Sequence, residues 1–173
     1  MKVNDRYCSL YYENDHDYGT VEIDPKRSAL LIIDAQYACV KPPVLENPSQ
    51  EELEHQARWV PFYQTYETVV IPNLQRLIAL CRRNGMEVTY ARIQGHKKDG
   101  RDRSLDQKMT GFNQFLMTSD DPRGQIISEI APEMDDIVVT KTTDSALTGT
   151  NLRLLLYNMG IDTVIVTGTM TDQ

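Results

Sequence analysis

Thr163-Val-Ile-Val-Thr-Gly-Thr-Met-Thr-Asp-Gln173 decides the fold class. Val164 to Thr167 are four consecutive β-branched residues, which predicts a strand buried on both faces, as parallel strands between two helical layers are. Gly168 turns the chain. The polar run Thr169 to Gln173 then falls at the carboxyl end of that strand, where open α/β sheets place ligands and catalytic groups. Such a strand needs a following helix to cover it, so the stretch predicts that these 173 residues are the N-terminal portion of a longer, single α/β domain.

Working outward, three more strands precede it. Ser28-Ala-Leu-Leu-Ile-Ile-Asp34 is an apolar run that ends in a carboxylate, Met86 to Ile93 is the second strand, and Asp136 to Lys141 is the third, ending in a lysine. Val70, Leu74, Leu77, Ile78 and Cys81 recur at helical spacing after the first strand, with Pro72 in the first turn or at a kink and Gly85 as the stop. Leu152, Leu155, Leu156 and Met159 do the same before the last strand, with a cap near Thr148 or Thr150 and a stop at Gly160. Alternating strands and helices predict a doubly wound, mostly parallel sheet in three layers with right-handed crossovers.

The remaining segments are less regular. Pro42-Pro43 and Pro48 mark a loop, and Ser49 with Glu52 forms a capping box that opens a short helix from Glu51 to Trp59, so this region reads as an insertion. Residues 110 to 135 are irregular, with turns at Asp121-Pro122 and Arg123-Gly124 and a short helical turn within Ile126 to Ile130. Residues 1–27 lack periodicity but carry Tyr7, Tyr11, Tyr12 and Tyr18, which predicts an arm docked on the surface or on a neighbouring subunit, and hence a homo-oligomer.

Composition narrows the function. A formal net charge of −7 argues against nucleic acid and anionic membranes as partners, because phosphate binding needs a basic face. No apolar run is long enough to span a bilayer and the N-terminus has no signal-peptide core, which predicts a cytoplasmic protein. Cys8, Cys39 and Cys81 have neither metal-ligand nor paired spacing. No glycine-rich turn follows a strand, which removes a dinucleotide-binding oxidoreductase. A small molecule is left as the partner.

In a parallel sheet Asp34, Lys141 and the segment from Gly168 come to one rim. A carboxylate beside an ammonium there is either a plain buried ion pair or an acid–base centre. Arg92, at the end of the second strand, is a candidate for gripping a carboxylate or urea carbonyl, with Arg101 and Arg103 as further candidates. The run from Lys97 to Arg103 is either a solvated loop or a basic lid. His96, on that loop, reads as solvated. Cys39 lies near Asp34 but has no helix N-terminus behind it to activate its thiol.

Three motifs carry a resemblance to the isochorismatase-like cysteine hydrolases: Leu31-Ile-Ile-Asp34-Ala-Gln36, Val138-Val-Thr-Lys141-Thr-Thr-Asp-Ser145-Ala-Leu-Thr-Gly149-Thr150, and Gly168-Thr-Met-Thr171-Asp-Gln173. The resemblance implies a Rossmann-type three-layer fold and hydrolysis of a C–N bond in a small amide, carbamoyl or ureide compound. It makes Asp34 the general base, Lys141 the group that holds the thiolate, and a cysteine immediately after Gln173 the nucleophile. Met170 then supplies an oxyanion-hole N–H, with a cis peptide between Thr169 and Met170. Gln36, Tyr37, Arg92 and Leu147 fall where substrate would be bound. No metal or cofactor is expected, since His16, His55 and His96 lack the spacing of the family's metal-binding branch. Two alternatives stay open: a cysteine-less isochorismatase-type hydrolase that cleaves a vinyl ether, and a non-catalytic interaction domain on the same fold.

Overall fold

The computed structural model describes residues 22–110 and 116–170. The arm up to residue 21, and Thr171 to Gln173, lie outside the described residues. The strands are β1 (Ser28–Ile33), β2 (Glu87–Ile93), β3 (Ile137–Lys141) and β4 (Thr163–Gly168). The helices are α1 (Tyr37–Val40), α2 (Gln50–Thr65), α3 (Ile71–Arg83), α4 (Ala146–Gly149) and α5 (Leu152–Asn158). A π-helical segment, Tyr66–Val70, joins α2 to α3.

The four strands form one sheet in the order β3-β2-β1-β4, every pair parallel. Two layers cover it. Side chains alternate along a strand, so Leu30 and Ile32 of β1 join Val88 and Tyr90 beneath Ile71, Leu74, Ile78 and Cys81 of α3. Ala29 and Leu31 face the other way and join Ala91 and Val139 against Leu152 and Leu156 of α5. Each of these large apolar side chains contributes about 1.5–3 kcal/mol by leaving water.

Local chemistry sets the ends. Gly85, at φ +68°, terminates α3, with its N–H donating to Arg82 O and the next N–H, of Met86, donating to Cys81 O. The second expected helix divides: Ser145 caps α4, and Thr150 Oγ1 accepts from Leu152 N to start α5. Ser128–Ile130 supplies the helical turn expected among the irregular residues.

One expectation is corrected. The short helix over Glu51 to Trp59 runs on to Thr65 with Pro61 inside it and continues through the π segment into α3, because the ring of Pro61 is accommodated on an exposed face. Pro72 accordingly sits in the first turn of α3, inside a continuous helical run. β4 is buried only in part. Val164 and Ile165 pack against the two cores, but Val166, a step closer to the carboxyl end, is 62% exposed and faces a cleft.

Successive crossovers lay β2 and β3 to one side of β1, and the last crossover returns to lay β4 on the other. The switch point therefore lies between the carboxyl ends of β1 and β4, and a crevice opens there. Gly168 closes this junction from below. It adopts φ +111° and approaches Ile33 so closely that a Cβ would lie 2.0 Å from Ile33 O.

Candidate active site

Asp34 is the first residue past β1 and sits at φ +51°, a left-handed conformation that Asp tolerates better than most side chains. Backbone bonds hold it: its N–H donates to Ala91 O at 2.9 Å, and its carbonyl accepts from Gln36 N at 2.7 Å and Thr169 Oγ1 at 3.2 Å. Lys141, the last residue of β3, donates from Nζ to Asp34 Oδ2 at 2.7 Å. β2 lies between those strands, so only a stem as long as lysine's spans the gap. Lys141 is 1% exposed, whereas the Asp34 side chain is 18% exposed and opens onto the cleft.

Burial pushes the Asp34 carboxyl above the usual carboxylate range, and the Lys141 ammonium pulls it back without cancelling the shift. Asp34 Oδ1 is buried with no hydrogen-bond partner among the described residues, so one carboxylate oxygen is tied to the ammonium and the other has a lone pair to spare for a proton. This is the arrangement a general base needs.

At the end of β4, Thr169 N donates to Ile33 O at 3.0 Å, and the peptide between Thr169 and Met170 is cis, as the resemblance implied. Met170, Tyr37 and Leu147 all line the cleft together with Asp34 and Lys141. Tyr37 is fixed there by its hydroxyl, which accepts from Ser128 N at 3.1 Å.

Other expected site residues are placed elsewhere. Gln36 is fully buried and spends both ends of its amide on backbone: Nε2 donates to Ile93 O at 3.0 Å and Gly124 O at 2.7 Å, and Oε1 accepts from Ile93 N at 2.7 Å. It ties the end of β1 to β2 and to the turn at Pro122–Gly124, and it does not line the cleft. Gln36→Leu is expected to cost about 2–4 kcal/mol of unfolding free energy in urea titrations, since it orphans a buried N–H and removes three bonds, while KM changes little. A tenfold rise in KM at unchanged stability would restore Gln36 as a binding residue.

Arg92 is likewise not a cleft residue. It points away from the cleft wall made by its neighbour Ile93 and bonds Thr140 Oγ1 at 3.1 Å and Gln125 Oε1 at 2.7 Å. Lys97 to Arg103 is no lid in this structure either: Asp102 folds the loop on itself by accepting from His96 N and Lys97 N, and Arg101 and Arg103 do not line the cleft. Cys39 does line it, but burial and the nearby Asp34 charge push its thiol up to about 12, which leaves it a poor nucleophile. Among the described residues there is no cluster of His, Cys, Asp and Glu suited to a metal, and no helix long and apolar enough to cross a membrane.

Two features of the cleft were not anticipated. Asp144 stands on its wall, accepts from Gln107 Nε2, and is pushed up by burial and by its neighbour Asp106. α2 also lines the cleft, through His55, Trp59, Phe62 and Tyr63. Their spacing of i, i+4, i+7 and i+8 was the available signal, because such residues share one helix face.

Comparisons with known proteins bear on this site. The sequence model of the isochorismatase domain family matches residues 28–173. An N-carbamoylsarcosine amidase of Arthrobacter sp is 34% identical over 101 residues, 57% of this chain and 38% of that protein. The isochorismatase of Bacillus subtilis (strain 168) is 35% identical over 101 residues, 58% of this chain and 31% of that protein. The matched stretches thus span about a third of those relatives. Among solved structures, a cysteine hydrolase from Pseudomonas syringae pv. phaseolicola 1448A shares the fold with a TM-score of 0.67 at 24% identity, over 88% of this chain and 64% of that one. The N-carbamoylsarcosine amidase from Thermoplasma acidophilum superposes with a TM-score of 0.55 at 25% identity, over 82% and 67%.

Proposed function

The chain belongs to the isochorismatase family, and on that premise we propose that its protein hydrolyses a C–N bond of a small amide, carbamoyl or ureide compound through a cysteine thioester. The observation that carries this reading is the ion pair of Asp34 and Lys141, 2.7 Å apart at the switch point of the sheet, with one carboxylate oxygen unengaged among the described residues. The similarity to two N-carbamoylsarcosine amidases supports the substrate class.

The residues suit each step. Asp34 takes the proton of a cysteine thiol that follows Gln173, the position the family resemblance assigns, and Lys141 stabilises the resulting thiolate. The thiolate attacks the carbonyl carbon. The oxyanion so formed accepts hydrogen bonds from backbone N–H groups, that of Met170 among them. Collapse breaks the C–N bond, and Asp34 returns its proton to the leaving amine. Water then attacks the thioester, giving up a proton to Asp34, and the thiol is regenerated as the acid departs. No step calls for a metal or cofactor. The protein is proposed to act as a homo-oligomer, which sedimentation tests.

The test is ammonia release from a panel of small amides and ureides by the full-length protein, with and without a thiol-alkylating reagent and a chelator. Activity blocked by alkylation and spared by the chelator is expected. Turnover that survives alkylation would sink the thioester route and favour a cysteine-independent cleavage.

A further inference from the structure

We propose that Trp59 is the specificity-determining residue of the cleft, and that the substrate carries a flat, uncharged, apolar body that lies against it, away from the scissile carbonyl. This rests on the reading of Asp34 and Lys141 as the reacting end of the same cleft.

This wall is largely exposed among the described residues. α2 has no buried residue, so Trp59 is not held in place as part of the core. Phe62 meets it edge to face with centroids 5.7 Å apart, and Tyr63 lies tilted beside it at 6.3 Å. Those rings brace Trp59, yet 42% of it stays open. Leu147 and Met170, each 47% exposed, and Val166 line the same cleft. An aromatic cluster and further apolar side chains lining the cleft that holds the charged pair favour a planar, apolar body, because aromatic faces reward flat partners with dispersion and with area removed from water.

Charge points the same way. Among the described lining residues every Lys or Arg is already paired within the protein: Lys41 with Glu129 at 2.6 Å, Arg123 with Asp121 at 2.7 Å, and Lys141 with Asp34 at 2.7 Å. Asp144 adds a carboxyl to the wall whose hydrogen-bonded neighbours are Gln107 and another carboxyl, Asp106. A substrate with a carboxylate at its distal end would meet carboxyls and, among the described residues, find no lining Lys or Arg to spare, which penalises it relative to a neutral one.

The experiment pairs activity with direct binding in the full-length protein. Propanamide, 3-phenylpropanamide and succinamate share a primary amide and differ in the distal group. Expected is a kcat/KM for 3-phenylpropanamide about 10- to 100-fold above propanamide, with succinamate lowest. Trp59→Ala should erase that ratio, mostly through KM, and Trp59→Phe should keep most of it. In the catalytically impaired Asp34→Asn background, tryptophan emission should change saturably with 3-phenylpropanamide, and the change should vanish when Trp59→Phe is added. A preference that survives Trp59→Ala overturns the proposal. So does emission that ignores the amide but follows protein concentration, since a second copy of the chain would then cover the wall. Saturable binding without hydrolysis of any amide by the unmutated protein would leave Trp59 in its role and overturn the amidase reading instead.

Discussion

Asp34→Asn is expected to lower kcat on any accepted amide by about 10²- to 10⁴-fold, with KM changing far less, measured as ammonia release by the full-length protein. Asparagine has the shape of aspartate and its carbonyl oxygen can still accept from Lys141 Nζ, but it leaves the buried ammonium without a counter-charge, so stability should fall as well and kcat is to be taken per folded protein. Asparagine cannot take a proton. The pH profile offers a second readout. Because burial raises the Asp34 carboxyl, the acid limb of kcat should lie above the ordinary carboxylate range, with activity falling as pH drops through that raised value. In Asp34→Asn the limb should be gone. Full activity in this variant would remove Asp34 from the chemistry altogether.

Lys141→Met should damage both stability and activity. Lys141 is 1% exposed and lies against a largely buried carboxylate, so removing it strands that charge, and truncating one partner of such a pair costs about 3–5 kcal/mol. The loss should depend on pH in a definite direction. Without the ammonium the carboxyl rises further, and a raised carboxyl contributes stability below its unfolded value that is lost as pH climbs through the folded one. Urea titrations should therefore find the variant weakest at neutral and alkaline pH and partly rescued toward acid. Adding Asp34→Asn should restore much of the stability at neutral pH and none of the turnover. Equal destabilisation at every pH would mean that Lys141 matters for packing alone.

The pair was legible in the sequence because two apolar runs ended in opposite charges, and parallel strands bring such ends to one rim. Gly85 was legible too, since a helical stripe that breaks at glycine has few other readings. Arg92 was misplaced although the means to place it were present. It has the parity of Tyr90, which faces the α3 core, and not that of Ile93, which lines the cleft. Gln36 could not be placed from local pattern, because its partners Ile93 and Gly124 lie 57 and 88 residues along the chain. α2 extends past Trp59 to Thr65, and the rest of the aromatic wall, Phe62 and Tyr63, lies in that extension, with Pro61 inside the helix. Asp144 was hidden in a small-residue segment, its neighbours Asp106 and Gln107 arriving from a loop with no periodicity.

A sixteen-residue helix without one buried side chain is also an energetic fact about the cleft. α2 is held by its capping box at Ser49 and Glu52, by its junction with α3 and by Phe62, which packs partly buried against the core, and segments with so little apolar burial open locally at little cost. Its amides should exchange with solvent sooner than those of β1 or α3, and a ligand resting on Trp59 should slow them. Affinity then includes the work of ordering that wall. Substitutions on the outer face of α2 would shift ligand affinity while touching neither ligand nor Asp34, so affinity would be set in part from a surface remote from the charged pair.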